Sequence, residues 1–182
     1  MKKYFFILSL LIISSICKAQ NSQIKKSVTG LQIGLFGIDF YNESRLSNEL
    51  ALRSELSLFP AVWGEDLYTK IGVAFYPAIT LQPKYYYNLS SRIEKGRNTK
   101  NNSANYLAVQ FRYIPNWFVI SNKDVEIRNQ IHVIPTFGIR RNFAKNFNYE
   151  FKAGLGYGTT FGYDQNQSGA VIDLTLKLGF DF

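Results

Sequence analysis

Apolar and polar residues alternate without a break over residues 170–182, at the end of the chain. One face carries aliphatic and aromatic side chains, namely Ala170, Ile172, Leu174, Leu176, Leu178, Phe180 and Phe182. The other face is polar or small, with Asp173, Thr175, Lys177, Gly179 and Asp181. A period of two residues is typical of a β-strand. Because a tilted strand needs roughly 9–11 residues to cross a bilayer, this stretch is long enough to span a membrane with its apolar face toward lipid.

The same alternation recurs along the rest of the chain and predicts six further strands. They cover residues 29–41, 49–59, 68–82, 106–114, 126–141 and 147–162. In the first of these the alternation blurs after Phe36, which we interpret as a β-bulge. Bacterial membrane barrels usually have an even number of strands. We therefore predict an all-β fold, a transmembrane antiparallel up-and-down β-barrel of about eight strands, with the eighth strand in residues 20–28 or 83–89.

The end of the chain resembles the terminal strand of small outer-membrane β-barrels of Gram-negative bacteria. Proteins of that family end in phenylalanine, with hydrophobic residues two apart before it, and Leu178, Phe180 and Phe182 match. The family usually has a glycine where this chain has Lys177. The resemblance implies a location in the cell outer membrane. It also implies that these three residues form the signal that the barrel-insertion machinery reads.

A soluble lipocalin-like barrel is the main alternative fold. Its inward face would be apolar and its outward face polar. Here the faces are reversed, since the glycine-rich and charged face of residues 147–162 suits the inside of a narrow barrel. The pattern therefore favours a membrane barrel.

Residues 1–19 have the features of a secretory signal peptide. Lys2 and Lys3 precede an apolar stretch over residues 4–16, and small residues stand before a predicted cleavage site at Gln20. Lipidation of Cys17 is the alternative, and the bulky Ile16 fits it poorly. Cleavage would leave residues 20–182 as one barrel domain without the only cysteine, Cys17.

The formal net charge of the full chain is +8, and cleavage would remove three of its lysines, Lys2, Lys3 and Lys18. The remaining positive charge is dispersed, so it forms no patch for nucleic acid. It is compatible with contact to outer-membrane lipid and lipopolysaccharide phosphates. We expect a monomer.

Charged residues on the polar strand faces are predicted to point into the barrel. The expected lumen charge network consists of Arg53, Glu55, Lys70, Arg112, Arg140, Glu150, Lys152, Asp173 and Lys177, with Glu49 and Asp181 as further carboxylates. An eight-stranded barrel is just wide enough for side chains to fill it, and unpaired charges there would be costly. The network predicts a polar core that holds the barrel shut or, alternatively, a narrow conduit or small-ligand pocket.

Candidate chemistry is sparse. The only histidine, His132, alternates with Ile131 and Val133 and so points into the lumen, near Gln130 and Arg112 rather than near a nucleophile. Glycines at every second position of residues 154–158 form a strand face, not a nucleotide-binding loop. One histidine and one cysteine offer no metal-ligand spacing. We therefore expect no enzyme, catalytic residue, cofactor or metal.

The sequence favours a non-enzymatic protein with a structural or surface-interaction role. Residues 60–67 and 115–125 would meet the exterior, with Trp63, Trp117 and Phe118 as exposed anchors. The alternatives are a narrow pore or small-ligand carrier and a lipid-modifying enzyme centred on His132. Residues 83–105 form the longest connection. Counting strands back from a periplasmic C-terminus puts this connection in the periplasm, although long loops normally face outward.

Overall fold

The computed structural model describes residues 24–64, 71–162 and 165–182. The predicted signal peptide, residues 1–19, lies outside these ranges. The strands of the described ranges are β1 (Ser27–Gly34), β2 (Gly37–Arg45), β3 (Leu50–Trp63), β4 (Gly72–Tyr85), β5 (Asn105–Ile114), β6 (Ile120–Ser121), β7 (Gln130–Asn142), β8 (Phe147–Thr160) and β9 (Gln167–Asp181). A short helix, α1 (Leu89–Glu94), and a 3-10 helix (Lys100–Asn102) lie between β4 and β5. No helix in the described part of the chain has the length and apolar character needed to cross a membrane.

All these strands except β6 close into an eight-stranded antiparallel up-and-down barrel. Consecutive barrel strands pair with each other, and β1 closes the barrel against β9 from Gly30↔Asp181 to Gly34↔Lys177. The two-residue strand β6 pairs with Ala74 and Phe75 of β4. The predicted all-β barrel fold is confirmed.

The two faces of β9 lie as the alternation predicts. Asp173, Thr175 and Lys177 point into the barrel and are at most 8% exposed. Leu174 and Leu176 point outward and are 58% and 56% exposed. The charged side of each long strand therefore forms the inside of the barrel, and the apolar side forms its outer wall.

The eighth strand lies where the sequence analysis placed a bulge, so both predicted locations for it were wrong. Residues 29–41 are not one strand but parts of a hairpin, in which β1 ends at Gly34, Leu35 and Phe36 form the turn, and β2 begins at Gly37. Gly37 has φ +124°, a conformation that side chains with a Cβ rarely adopt. The turn is so short that the alternation resumes almost at once, which made two strands look like one.

The strand ends also differ from the predictions. The predicted loop 60–67 begins inside β3, which continues to Trp63. Pro60 lies in the part of β3 that pairs with β4 but has no β2 partner, where a missing backbone donor is tolerated. The predicted loop 115–125 contains β6.

Residues 86–104 fold into one end of the barrel, and we call them the plug. Tyr86, Leu89 and Ala104 of the plug are buried with Ile24. The backbone N–H of Arg140 donates to the carbonyl of Ala104 at 3.0 Å. The same end carries the β2–β3 and β7–β8 turns and both ends of the described chain, so we call it the terminus end and the opposite end the mouth. The long connection between β4 and β5 therefore lies at the terminus end. It closes the barrel there instead of projecting as a free loop.

Candidate functional site

Glu150 on β8 is the centre of a buried charge cluster in the terminus half of the lumen. It points inward because it lies between Tyr149 and Phe151, whose side chains are on the outer face. Its carboxylate accepts hydrogen bonds from Gln32 Nε2 (3.0 Å), Arg53 Nη1 (3.0 Å), Lys84 Nζ (2.8 Å), Arg140 Nη1 (3.2 Å) and Tyr106 Oη. The side chains of all three cations are at most 1% exposed. Because these charges are removed from water, each depends on its oppositely charged partners to offset the cost of its burial.

Two further carboxylates bind the plug to the barrel wall. Asp181 on β9 accepts from Asn101 Nδ2 at 2.9 Å and from Arg140 Nη2 at 2.7 Å. Glu43 on β2 accepts from Asn102 Nδ2 at 2.5 Å and from Tyr86 Oη at 2.6 Å.

The backbone conformation of Asn101 and Asn102 and the pKa of Tyr86 support these contacts. Asn101 and Asn102 have positive φ values of 49° and 63°, which asparagine tolerates better than most residues. Burial raises the pKa of the Tyr86 hydroxyl well above its usual value, so it stays protonated and can donate to Glu43. The plug is therefore fixed by side-chain contacts to the inside of the barrel.

A third layer of ion pairs lies between the Glu150 cluster and the mouth. Arg53 Nε donates to Glu55 Oε1 at 2.5 Å, and Lys152 Nζ lies 3.8 Å from the same oxygen. Lys177 on β9 pairs with Asp39 on β2. Each of these side chains is at most 3% exposed, so the terminus half of the lumen is filled with paired charges.

The structure brings together most of the residues that the sequence analysis placed in the lumen. Those buried inside the barrel are Arg53, Glu55, Arg140, Glu150, Lys152, Asp173 and Lys177. Arg112 points inward and is partly buried, whereas Lys70 lies outside the described residues. Glu49 lies at the terminus end and accepts from Ser90 of the plug at 2.9 Å. The predicted insertion signal, Leu178, Phe180 and Phe182, is on the outer face, with exposures of 58%, 38% and 63%.

Three charged lumen residues were missed by the sequence analysis. Asp39 and Glu43 were overlooked because β2 was not recognised, although Ile38 and Phe40 alternate with them on the opposite face. Lys84 was overlooked because Pro83 suggested the end of a strand, whereas β4 continues to Tyr85. The alternation of apolar and polar residues in β2 was the signal that could have revealed Asp39 and Glu43.

A cavity of about 400 Å³ occupies the mouth half of the lumen. Arg112 Nη2 donates to Asp173 Oδ2 at 2.9 Å, and its guanidinium lies 5.0 Å from the centre of the Phe59 ring. His132 Nε2 is 3.2 Å from Gln130 Oε1. Among the described residues, Arg112 Nε and His132 Nδ1 have no hydrogen-bond partner. The cavity lining is Phe36, Phe59, Pro60, Tyr76, Arg112, Ile114, Gln130, His132, Ile172, Asp173, Leu174, Thr175 and Lys177.

The cavity lining offers several polar side chains, among them Arg112, His132 and Thr175. A second pocket that shares His132 is also lined by Thr160 and Ser168. Within the described ranges, no three His, Cys, Asp or Glu side chains are grouped so that they could hold a metal ion.

The aromatic residues predicted as anchors are exposed near the mouth. Trp117 and Phe118 are 63% and 51% exposed and lie against the outer wall, where they line a groove with Leu56, Pro77 and other apolar residues of β2 to β4. Trp63 at the end of β3 is 37% exposed.

The chain matches no protein-family model, and no curated protein and no solved structure has significant similarity to it.

Proposed function

We propose that this chain is a Gram-negative outer-membrane β-barrel with a structural or surface-interaction role and no enzymatic activity. The observation that carries the proposal is the distribution of side chains across the wall. Large apolar residues from every long strand are exposed on the outside, among them Leu155 at 66% and Ile172 at 78%, while the inside is charged and paired. Soluble monomers rarely expose a continuous apolar surface of this kind, whereas hydrocarbon favours it.

Aromatic residues at both ends of the barrel also support a position across a bilayer. Phe147, Phe180 and Phe182 form a cluster at the terminus end, with ring centres 5.2 and 5.7 Å apart. Trp63, Trp117 and Phe118 lie near the mouth. Aromatic side chains favour the membrane–water interfaces. The proposed partners are outer-membrane lipid and lipopolysaccharide, and the insertion machinery that would read Leu178, Phe180 and Phe182.

Of the two alternatives that use the lumen, the cavity favours a ligand carrier over a pore. The plug and the Glu150 cluster fill the terminus half with bonded side chains, so the described residues offer no continuous aqueous path. The mouth half holds the cavity around Arg112 and His132. Binding of a small molecule is therefore the second candidate function.

Exposure of the mouth at the cell surface can be tested by cysteine labelling. A chain that begins at Gln20 has no native cysteine, because Cys17 is the only one in the sequence. Lys123, between β6 and β7 at the mouth, and Lys95, in the plug, are both exposed lysines. We expect Lys123→Cys to react with a membrane-impermeant maleimide on intact cells. Lys95→Cys should react only after the outer membrane is permeabilised.

The second variant is a matched control for expression and thiol reactivity. If Lys123→Cys stays unlabelled on intact cells while both variants are labelled in opened cells, the mouth does not face the exterior and the surface role is wrong. Equal labelling of both variants in the soluble fraction would contradict the membrane location itself.

A further inference from the structure

The barrel wall is incomplete on one side of the mouth. β1 pairs with β9 only as far as Gly34↔Lys177, and β2 pairs with β3 only as far as Ile38↔Leu58. Beyond these pairs, β9 continues along residues 167–176 and β3 along residues 59–63, each with one neighbouring strand. Within the described ranges, the places of two strands, β1 and β2, are therefore empty between them. At about 4.8 Å per strand spacing, the axes of β9 and β3 are roughly 14 Å apart there. We call this opening the notch.

The cavity lies at the notch, and residues from both faces of β9 line it. Asp173 and Thr175 point inward and are buried, whereas Ile172 and Leu174 point outward and are 78% and 58% exposed. All four line the same cavity. Neighbouring residues of a strand lie on opposite faces, so a cavity at the free edge of β9 can meet both faces. Phe36, in the turn between β1 and β2, lines the same cavity on the side where the β1–β2 hairpin ends.

The lining changes from polar to apolar toward the notch. Inside, the cavity meets Arg112, which pairs with Asp173, Lys177, which pairs with Asp39, and His132. Asp173 accepts from Arg112 Nη2 at 2.9 Å, and the buried Arg112 Nε has no partner among the described residues. At the notch the lining is apolar, with Phe36, Pro60, Ile172 and Leu174. A molecule with a small head that accepts hydrogen bonds from Arg112, such as a carboxylate, and a narrow apolar tail matches this gradient.

We propose that the notch admits a single-chain anionic amphiphile, a long-chain carboxylate, sideways from the surrounding bilayer. Its head would lie against Arg112 and His132, and its tail would leave the barrel between β9 and β3 across Phe36. The volume of about 400 Å³ is within the range of small-molecule pockets, about 300–1,000 Å³. This inference rests on the proposed membrane location, because only there does the outer side of the notch face hydrocarbon.

Binding can be measured by native mass spectrometry of the barrel released from detergent micelles. The folded protein is mixed with palmitate or with butyrate at equal concentration. We expect a one-to-one adduct with palmitate and none with butyrate. Because a charge-assisted hydrogen bond contributes about 1.5–3 kcal/mol, Arg112→Gln should weaken palmitate binding roughly tenfold or more. Arg112→Lys keeps the charge and should retain most of the binding.

Lys95→Gln is the matched control, since it removes one positive charge from the plug at the other end of the barrel and should leave binding unchanged. Folding of each variant is checked by its altered gel migration before boiling. If the folded wild-type barrel forms no palmitate adduct, the inference is wrong while the membrane proposal stands. Equal adducts with butyrate and palmitate would contradict the role of the tail, because a small anion could then enter from the mouth. If Arg112→Gln binds palmitate as strongly as the wild type does, Arg112 is not the head-group site. A chain that is soluble without detergent would contradict the proposed function instead.

Discussion

Replacing Glu150 with glutamine is expected to destabilise the barrel by about 3–5 kcal/mol, the usual cost of removing one partner of a buried ion pair. Glu150 is the carboxylate that Arg53, Lys84 and Arg140 share, at 2.8 to 3.2 Å. Glutamine has nearly the same shape but no charge, so these cations would remain buried with less compensation. Urea unfolding of the protein in phospholipid vesicles, followed by the fluorescence of Trp63 and Trp117, measures the change.

Two control variants distinguish this effect from the effect of removing any carboxylate. Glu94→Gln changes an exposed residue of α1 and should leave the unfolding curve in place. In the Glu150→Gln background, Lys84→Gln removes one of the uncompensated cations, so the double variant should be more stable than the sum of the single effects predicts. An unfolding curve for Glu150→Gln that coincides with that of Glu94→Gln would mean that the cluster is not essential for closing the lumen.

Gly138→Ala is expected to destabilise the barrel by about 1–3 kcal/mol, because the site on β7 has no room for a methyl group. A Cβ built at Gly138 collides with the ring and hydroxyl of Tyr106. That ring is fully buried, and its hydroxyl donates to Glu150. The added methyl group would therefore displace Tyr106 from the Glu150 cluster. The same urea unfolding measurement gives the size of the effect.

Gly169→Ala is the matched control, since a Cβ there meets no atom within 4 Å. It should leave stability nearly unchanged. In a Tyr106→Leu background the shorter side chain should leave room for the methyl group at position 138, so the added cost of Gly138→Ala should fall. A similar cost in both backgrounds would show that the collision with Tyr106 is not its cause.

The strands that the sequence predicts best are those with long, uninterrupted alternation. β8 and β9 could be recognised because each presents apolar side chains on its outward face and glycine or charged residues on the other. β2 was missed because the turn at Leu35 and Phe36 is short and apolar, so the blurred alternation there was interpreted as a bulge within one strand. Without β2, Asp39 and Glu43 could not be placed in the lumen.

The plug and the notch could not be predicted because both depend on long-range pairing. Residues 86–104 have a polar, basic composition typical of a loop. They fold because Asn101 binds Asp181 and Asn102 binds Glu43, contacts that span 80 and 59 residues of sequence. The notch depends on how far β1 pairs along β9, and a single sequence does not reveal such a register.

The claim that hydrocarbon surrounds the outer wall is tested most directly by spin labels attached to single cysteines. Leu107→Cys and Leu155→Cys place labels on the wall, where the native side chains are 52% and 66% exposed, and Lys123→Cys places one near the mouth. In lipid vesicles, we predict that the wall labels collide mainly with oxygen, which dissolves in lipid, and that the Lys123 label collides mainly with a water-soluble nickel complex. Wall labels that collide with the nickel complex as often as the Lys123 label would show that water surrounds the barrel, and the membrane account would be wrong.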